Sequence, residues 1–363
     1  MRALLFLLMT LPASAAGTLL FIGTYTRTTS QGIYAVRLDA ATGALSAPVL
    51  AAATPNPSFL ALSPGQEFLY AASESAAMSA AFATDLGRGT LRPLQTPQSS
   101  GGVAPCHLAV DPTGRALLVA NYHTGIVAAI PLKADGTLGA PNVIPHSGHS
   151  VDPVRQTSPH VHCVNLSPDG RFVLVCDLGL DRIFSYRLDA AKAALTPAAQ
   201  PFTATAPGAG PRHLAFGADG RHAYVITEMG STVVACDYAP DTGALTPRQT
   251  LSTLPPDFKG TSSGAEIQVH PNGRFLYASN RGHDSIAVFA VDTAGRLTLV
   301  EATPCGGKNP RSFSLSPDGA WLVCANQNSD SLTVFRVDGR TGRLTPTGHT
   351  AHVPLPVCVL FAR

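Results

Sequence analysis

The feature that most restricts this chain is one unit written seven times. A turn followed by an alternating apolar strand recurs as SPGQEFLYAASE, DPTGRALLVAN, SPDGRFVLVCD, GADGRHAYVITE, HPNGRFLYASN and SPDGAWLVCAN, ending at Glu74, Asn121, Asp177, Glu228, Asn280 and Asn326. The segment TLLFIGT, ending at Thr24, matches the second half of the unit. Successive ends lie 50, 47, 56, 51, 52 and 46 residues apart. A second marker, a leucine after a polar turn, recurs at Leu45, Leu91, Leu138, Leu195, Leu245, Leu297 and Leu344. A period of this length indicates an array or a propeller, because a single unit cannot bury its apolar face alone.

Each unit reads as four antiparallel strands, the content of a propeller blade. A short strand after Pro or Gly comes first, as in PSFLALS (57–63), PCHLAVD (105–111), PRHLAFG (211–217), GAEIQVH (264–270) and PRSFSLS (310–316). The first unit lacks this strand, and PVCVLFA (356–362) at the chain end supplies it. The expected fold is therefore all-β: a seven-bladed β-propeller, its ring closed by the C-terminal strand completing the N-terminal blade, with no open sheet edge. The 33 glycines, 30 prolines and 45% hydrophobic content suit many turns around a large core.

MRALLFLLMTLPASAAG carries Arg2, a short apolar stretch and the small-residue signal Ala13-Ser14-Ala15. Residues 1–16 are expected to be a signal peptide, leaving 17–363 as a single propeller domain, exported to the periplasm or secreted. The apolar run is shorter than the roughly 20 residues of a bilayer span, so no membrane span is expected in the mature chain. The 25 basic and 23 acidic residues are scattered, which argues against nucleic acid and for a small-molecule partner, with the protein a monomer. The seven cysteines sit mostly in apolar runs and read as small buried hydrophobes. A hairpin turn at Asp169-Gly170 would set Cys163 opposite Cys176, where a strained cross-strand bridge is possible but not favoured.

In a propeller the first strands line the channel. Their starts, aligned on the turn, are Ser58, Cys106, His162, Arg212, Ala265, Arg311 and Val357. The ends of the second strands are Thr24, Glu74, Asn121, Asp177, Glu228, Asn280 and Asn326, with Arg281 and His123 close behind. Asn and Asp commonly hold loops at such ends, which leaves Glu74 and Glu228 less well explained. Imidazole, carboxylate and guanidinium around one mouth suit proton transfer and oxyanion binding on an anionic ester. The longest interval arises from an insertion, HSGHSVDPVRQTSPH (146–160), expected to wall that mouth. A metal site would need two or more ligands from His160, His162 and a carboxylate; no metal is expected there, and no cofactor motif is present. No G-x-S-x-G nucleophile turn occurs either.

The segments FIGTYT (21–26), GIYAVRLDAATGAL (32–45), LLVANYHTG (117–125), PHVHCVNLSPDGRFVLVCDLGLDRI (159–183), GPRHLAF (210–216), NRGHDSIAVF (280–289) and GKNPRSFSLSPDG (307–319) together resemble the seven-bladed β-propeller lactonase family. That family includes propeller-type 6-phosphogluconolactonases and carboxy-muconate lactonizing enzymes. The resemblance implies catalytic positions at His162, Arg212, Glu228 and Arg281; the remaining polar positions at the strand starts and ends, Glu74, Asn121, His123, Asp177, Asn280, Arg311 and Asn326, are the substrate-binding candidates. It implies a lactonase hydrolysing a sugar-acid lactone, with a lactonizing lyase or a non-catalytic exported binding propeller as the alternatives. A catalytic Glu228 is expected to tolerate replacement by Gln with little change in melting temperature.

Overall fold

The alternating strands bury both of their faces, and this makes blades of the repeats. In the fourth blade Val173 and Val175 pack toward the third, whereas Phe172, Leu174 and Cys176 pack toward the fifth. Period-two alternation of apolar side chains thus glues each sheet to two neighbours. The computed structural model describes residues 17–362; the expected signal peptide lies outside them.

Seven antiparallel sheets result. In the fourth blade the strands run Val161–Leu166, Phe172–Asp177, Arg182–Asp189 and Ala194–Ala204, innermost first. The fifth blade follows with Pro211–Phe216, His222–Thr227, Thr232–Ala239 and Ala244–Ser252. The sixth begins Ser263–Val269 and Phe275–Arg281. The chain end, Pro356–Phe361, pairs antiparallel with Thr18–Thr24 and completes the first blade. Trp321 locks this closure: its Nε1 donates to Ala40 O at 3.1 Å, and its ring occupies the space a Cβ at Gly43 would need, where φ is +76°.

Each inner strand leaves an unpaired edge on the central channel, and from the fourth blade round to the first a side chain of the preceding blade bonds across it. Asn165 Nδ2 donates to Leu214 O; Arg212 Nη1 to Ala265 O at 2.7 Å; Gln268 Nε2 to Phe313 O at 3.0 Å. Val359 N–H in turn donates to Ser312 Oγ at 3.3 Å. Buried backbone groups are thereby satisfied without a fifth strand. No helix among the described residues is long and apolar enough to cross a membrane.

The turn before Phe172 is wider than two residues. Ser167 N–H donates to Phe172 O and Gly170 N–H to Ser167 O, each at 2.8 Å, so the chain turns over 168–171. The register is still the expected one, with Cys163 opposite Cys176. Both thiols are free, as are Cys106, Cys236, Cys305, Cys324 and Cys358, and all seven are buried. Titration with a water-soluble thiol reagent should find essentially no reactive thiol in the native protein and seven after denaturation without reductant. Five after denaturation would mean that Cys163 and Cys176 are bridged.

Candidate active site

At the start of every inner strand the ladder slips. Val161 pairs with Asp177 but Cys163 with Cys176, leaving His162 outside the pairing. The same slip isolates Ser58, Cys106, Arg212, Arg311 and Val357, and in the sixth blade it spans Ala265 and Glu266. A bulge bends the strand and re-aims a side chain. The seven positions found by aligning the repeats are therefore bulge positions. His160 lies just before the strand and His162 in its bulge, so strand alternation sets the direction of neither. His160 leaves the cluster by another route: its Nδ1 donates to Tyr122 O at 3.0 Å and its ring stacks on Tyr122 at 4.4 Å.

Glu228 is the centre of the resulting cluster. Its Oε2 accepts from Arg212 Nε at 3.1 Å and from Arg281 Nη2 at 2.9 Å, and lies 3.9 Å from His162 Nε2. Its Oε1 accepts from Arg155 Nη2 at 2.6 Å. Glu228, His162 and Arg212 are 6%, 4% and 2% exposed, so these charges act through little water. Burial pushes the Glu228 carboxyl up, but Arg281, Arg212 and Arg155 outweigh it and hold the group well below its ordinary 4.5. Burial and then the Arg212 charge push His162 well below 6.5, so its imidazole is neutral at neutral pH.

A second group flanks the cluster. Tyr25 Oη donates to Glu74 Oε2 at 2.8 Å, and Arg311 lies over the Tyr25 ring, 5.4 Å from its centroid. The Arg311 charge reaches His162, Arg212 and Arg281. Four guanidiniums, of Arg155, Arg212, Arg281 and Arg311, thus face the two carboxylates of Glu228 and Glu74, an excess of positive charge that favours an anion.

The other candidates hold loops. Asn121 Nδ2 donates to Ser100 O, and its Oδ1 accepts from Ser100 Oγ. Asn280 Nδ2 donates to Thr253 O, and Asn326 Nδ2 to Thr333 Oγ1. Asp177 accepts from His160 N–H at 2.8 Å and pairs with His146 Nδ1 at 2.7 Å. All four are wholly buried, and their polar atoms are engaged inside the protein, which removes them from direct contact with a substrate. His123 is exposed, its ring edge-on to Tyr122 at 5.5 Å.

The insertion supplies what alignment of repeats could not show. Asp152 Oδ1 accepts from the Val154 and Arg155 N–H groups, Gln156 Nε2 donates to Leu178 O at 2.8 Å, and Ser150 Oγ donates to Asp181 Oδ2 at 2.6 Å. These bonds pin the loop so that Arg155, whose side chain is 44% exposed, reaches both Glu228 and Tyr122 Oη. As the single basic residue of 147–159 outside the histidines, Arg155 was visible in the sequence but had no repeat partner to mark it.

The family profile described as "Lactonase, 7-bladed beta-propeller" matches residues 19–361. The 6-phosphogluconolactonase of Bacillus subtilis (strain 168) is 39% identical over 345 residues, covering 94% of this chain and 97% of the relative. The solved structure of the periplasmic gluconolactonase of Pseudomonas aeruginosa superposes with a TM-score of 0.88 at 36% identity, covering 95% of this chain and 99% of that one. A Bacteroides fragilis protein superposes at 0.90, also at 36% identity, over 98% of this chain and 100% of that one.

With three cations around it, Glu228 cannot be removed without consequence for folding. Glu228→Gln leaves buried Arg212 and Arg281 uncompensated and should destabilise by ~3–5 kcal/mol at pH 7, contrary to the near-neutral effect expected from sequence. A carboxyl whose pKa is depressed on folding stabilises above its unfolded value near 4.5 and loses that contribution as pH falls. Urea unfolding of parent and variant should show the gap narrowing steadily below that pH.

Proposed function

Since the chain belongs to the seven-bladed β-propeller lactonase family, we propose that it opens a sugar-acid lactone with water at this cluster, which faces one mouth of the channel. The observation that carries the reading is the buried imidazole of His162, 3.9 Å from a carboxylate that gathers three guanidiniums. A base needs its unprotonated form, and His162 has it at neutral pH. Glu228 is a poor base for the same reason that it is a good anchor: its charge is already engaged by Arg281, Arg212 and Arg155.

In this reading His162 takes a proton from water as the water oxygen adds to the lactone carbonyl. The developing oxyanion is met by Arg281 or Arg155, whose guanidiniums extend beyond their bonds to Glu228. The tetrahedral centre then collapses, the ring carbon–oxygen bond breaks, and the leaving oxygen takes the proton back from the imidazolium. The products are a hydroxy acid and, at neutral pH, the proton it releases. Arg311 and the net positive charge hold the anionic part of the substrate.

Reading residues 1–16 as an export signal supports a location outside the cytoplasm, where a non-phosphorylated aldonolactone is the more available substrate. The similarity to a periplasmic gluconolactonase supports this choice. Purified protein should accelerate opening of gluconolactone above the spontaneous rate, and 6-phosphogluconolactone serves as the comparison. His162→Gln should lower kcat about 10²–10⁴-fold while circular dichroism and melting stay close to the parent. No acceleration with any lactone would leave a non-catalytic binding ring.

A further inference from the structure

Below the cluster the channel holds a chamber of about 890 Å³ lined by the inner strands of all seven blades. Its lining includes the turn residues Pro64, Pro271 and Pro317, which follow inner strands. The chamber therefore opens at the end of the ring away from the His162 and Arg212 bulges. Its walls are mixed, with Leu62, Phe216, Leu315 and Phe361 standing beside Asn165, Gln268 and Ser314. Its floor carries the polar groups His107, His213 and Glu266, with Phe59 packed against the two imidazoles.

The hydrogen bonds of this floor assign its protons. Arg212 Nη1 donates to His213 Nε2 at 3.2 Å, so the ring proton is on Nδ1, which donates to Glu266 Oε1 at 3.3 Å. Ile267 N–H donates to the same oxygen at 3.0 Å. Val164 N–H donates to His107 Nδ1, which leaves the other His107 proton on Nε2, toward Cys163 Sγ. Glu266 Oε2 makes no hydrogen bond, although the side chain is nine-tenths buried. The chamber lining contains no lysine or arginine, and the nearest guanidinium, that of Arg212, is already shared between Glu228, His213 and Ala265 O.

We propose that this chamber is a second ligand site, one that takes an organic ammonium ion, with the ammonium on Glu266 Oε2 and the apolar body against the channel wall. A buried carboxyl with one oxygen free and no cation in its own cavity is completed by a cationic head group. An anion would meet the carboxylate, whereas an ammonium ion pairs with its ionised form and holds the proton off. A metal ion needs several ligands, and among the described residues no group of three or more His, Cys, Asp or Glu side chains stands ready to hold one. Burial pushes the Glu266 carboxyl up to about 7, with Arg212 offsetting only part of it, as expected of a group lacking a counter-charge. The site is independent of the lactone reading, because none of its residues acts on the lactone.

Isothermal titration of the folded protein with benzylammonium chloride tests it, with benzyl alcohol as the uncharged isostere. Benzylammonium should bind saturably with one equivalent, at least tenfold more tightly than benzyl alcohol. Glu266→Gln should remove that preference, and Ser314→Leu, which narrows the wall while keeping Glu266, should weaken both ligands. Circular dichroism melts establish that each variant is folded; if Glu266→Gln is not, Ser314→Leu decides. Absence of saturable binding, equal affinity for the two ligands on the parent, or unchanged binding by a folded Glu266→Gln or Ser314→Leu variant would overturn the proposal.

Discussion

Everything in this ring depends on how the innermost strand of each blade disposes of its free edge. Seven such edges face a channel that cannot supply a partner strand, and each unpaired buried N–H or C=O costs about 1–3 kcal/mol. From the fourth blade round to the first, side chains of the preceding blade bond across the gap, and Arg212 shows the outcome. One of its nitrogens holds Ala265 O in the sixth blade and another holds Glu228 in its own. A residue that closes the fold is thus also a member of the cluster, so the two cannot be altered separately.

The bulges complete the arrangement. By interrupting each ladder they turn side chains such as His162 and Arg212 toward Glu228 and away from the blade interfaces, where large charged groups would not pack. Charge then accumulates in a confined volume, and Glu228 makes that tolerable by accepting from three guanidiniums at once. The same grouping keeps His162 from protonating, because an imidazolium there would be buried next to Arg212. The electrostatics that stabilise the ring also prepare a base and an anion-binding surface.

Much of this was legible in the sequence because it repeats. The period, the leucine marker and PVCVLFA at the chain end are local patterns that one fold satisfies, and the bulge positions emerge once the repeats are aligned on their turns. The asparagines at the second-strand ends were ambiguous, since an amide that holds a loop and one that holds a ligand look alike in sequence; only the bonds of Asn121, Asn280 and Asn326 separate the two roles. Arg155 belongs to an insertion without counterpart in the other blades, so nothing marked its reach toward Glu228. His107, His213 and Glu266 were hidden by the bulge itself, whose extra residue shifts the alternation just where a reader would count inward from outward.

The central claim is that His162 is held neutral inside a cluster whose carboxylate is fully ionised. The most direct measurement is a pH titration of the His162 ring nitrogens by ¹⁵N NMR, assigned with a His162→Gln variant. The account predicts a neutral imidazole throughout the range around pH 6.5 in which an exposed histidine changes charge, with protonation only at distinctly lower pH. A His162 that titrates at or above 6.5 would contradict it.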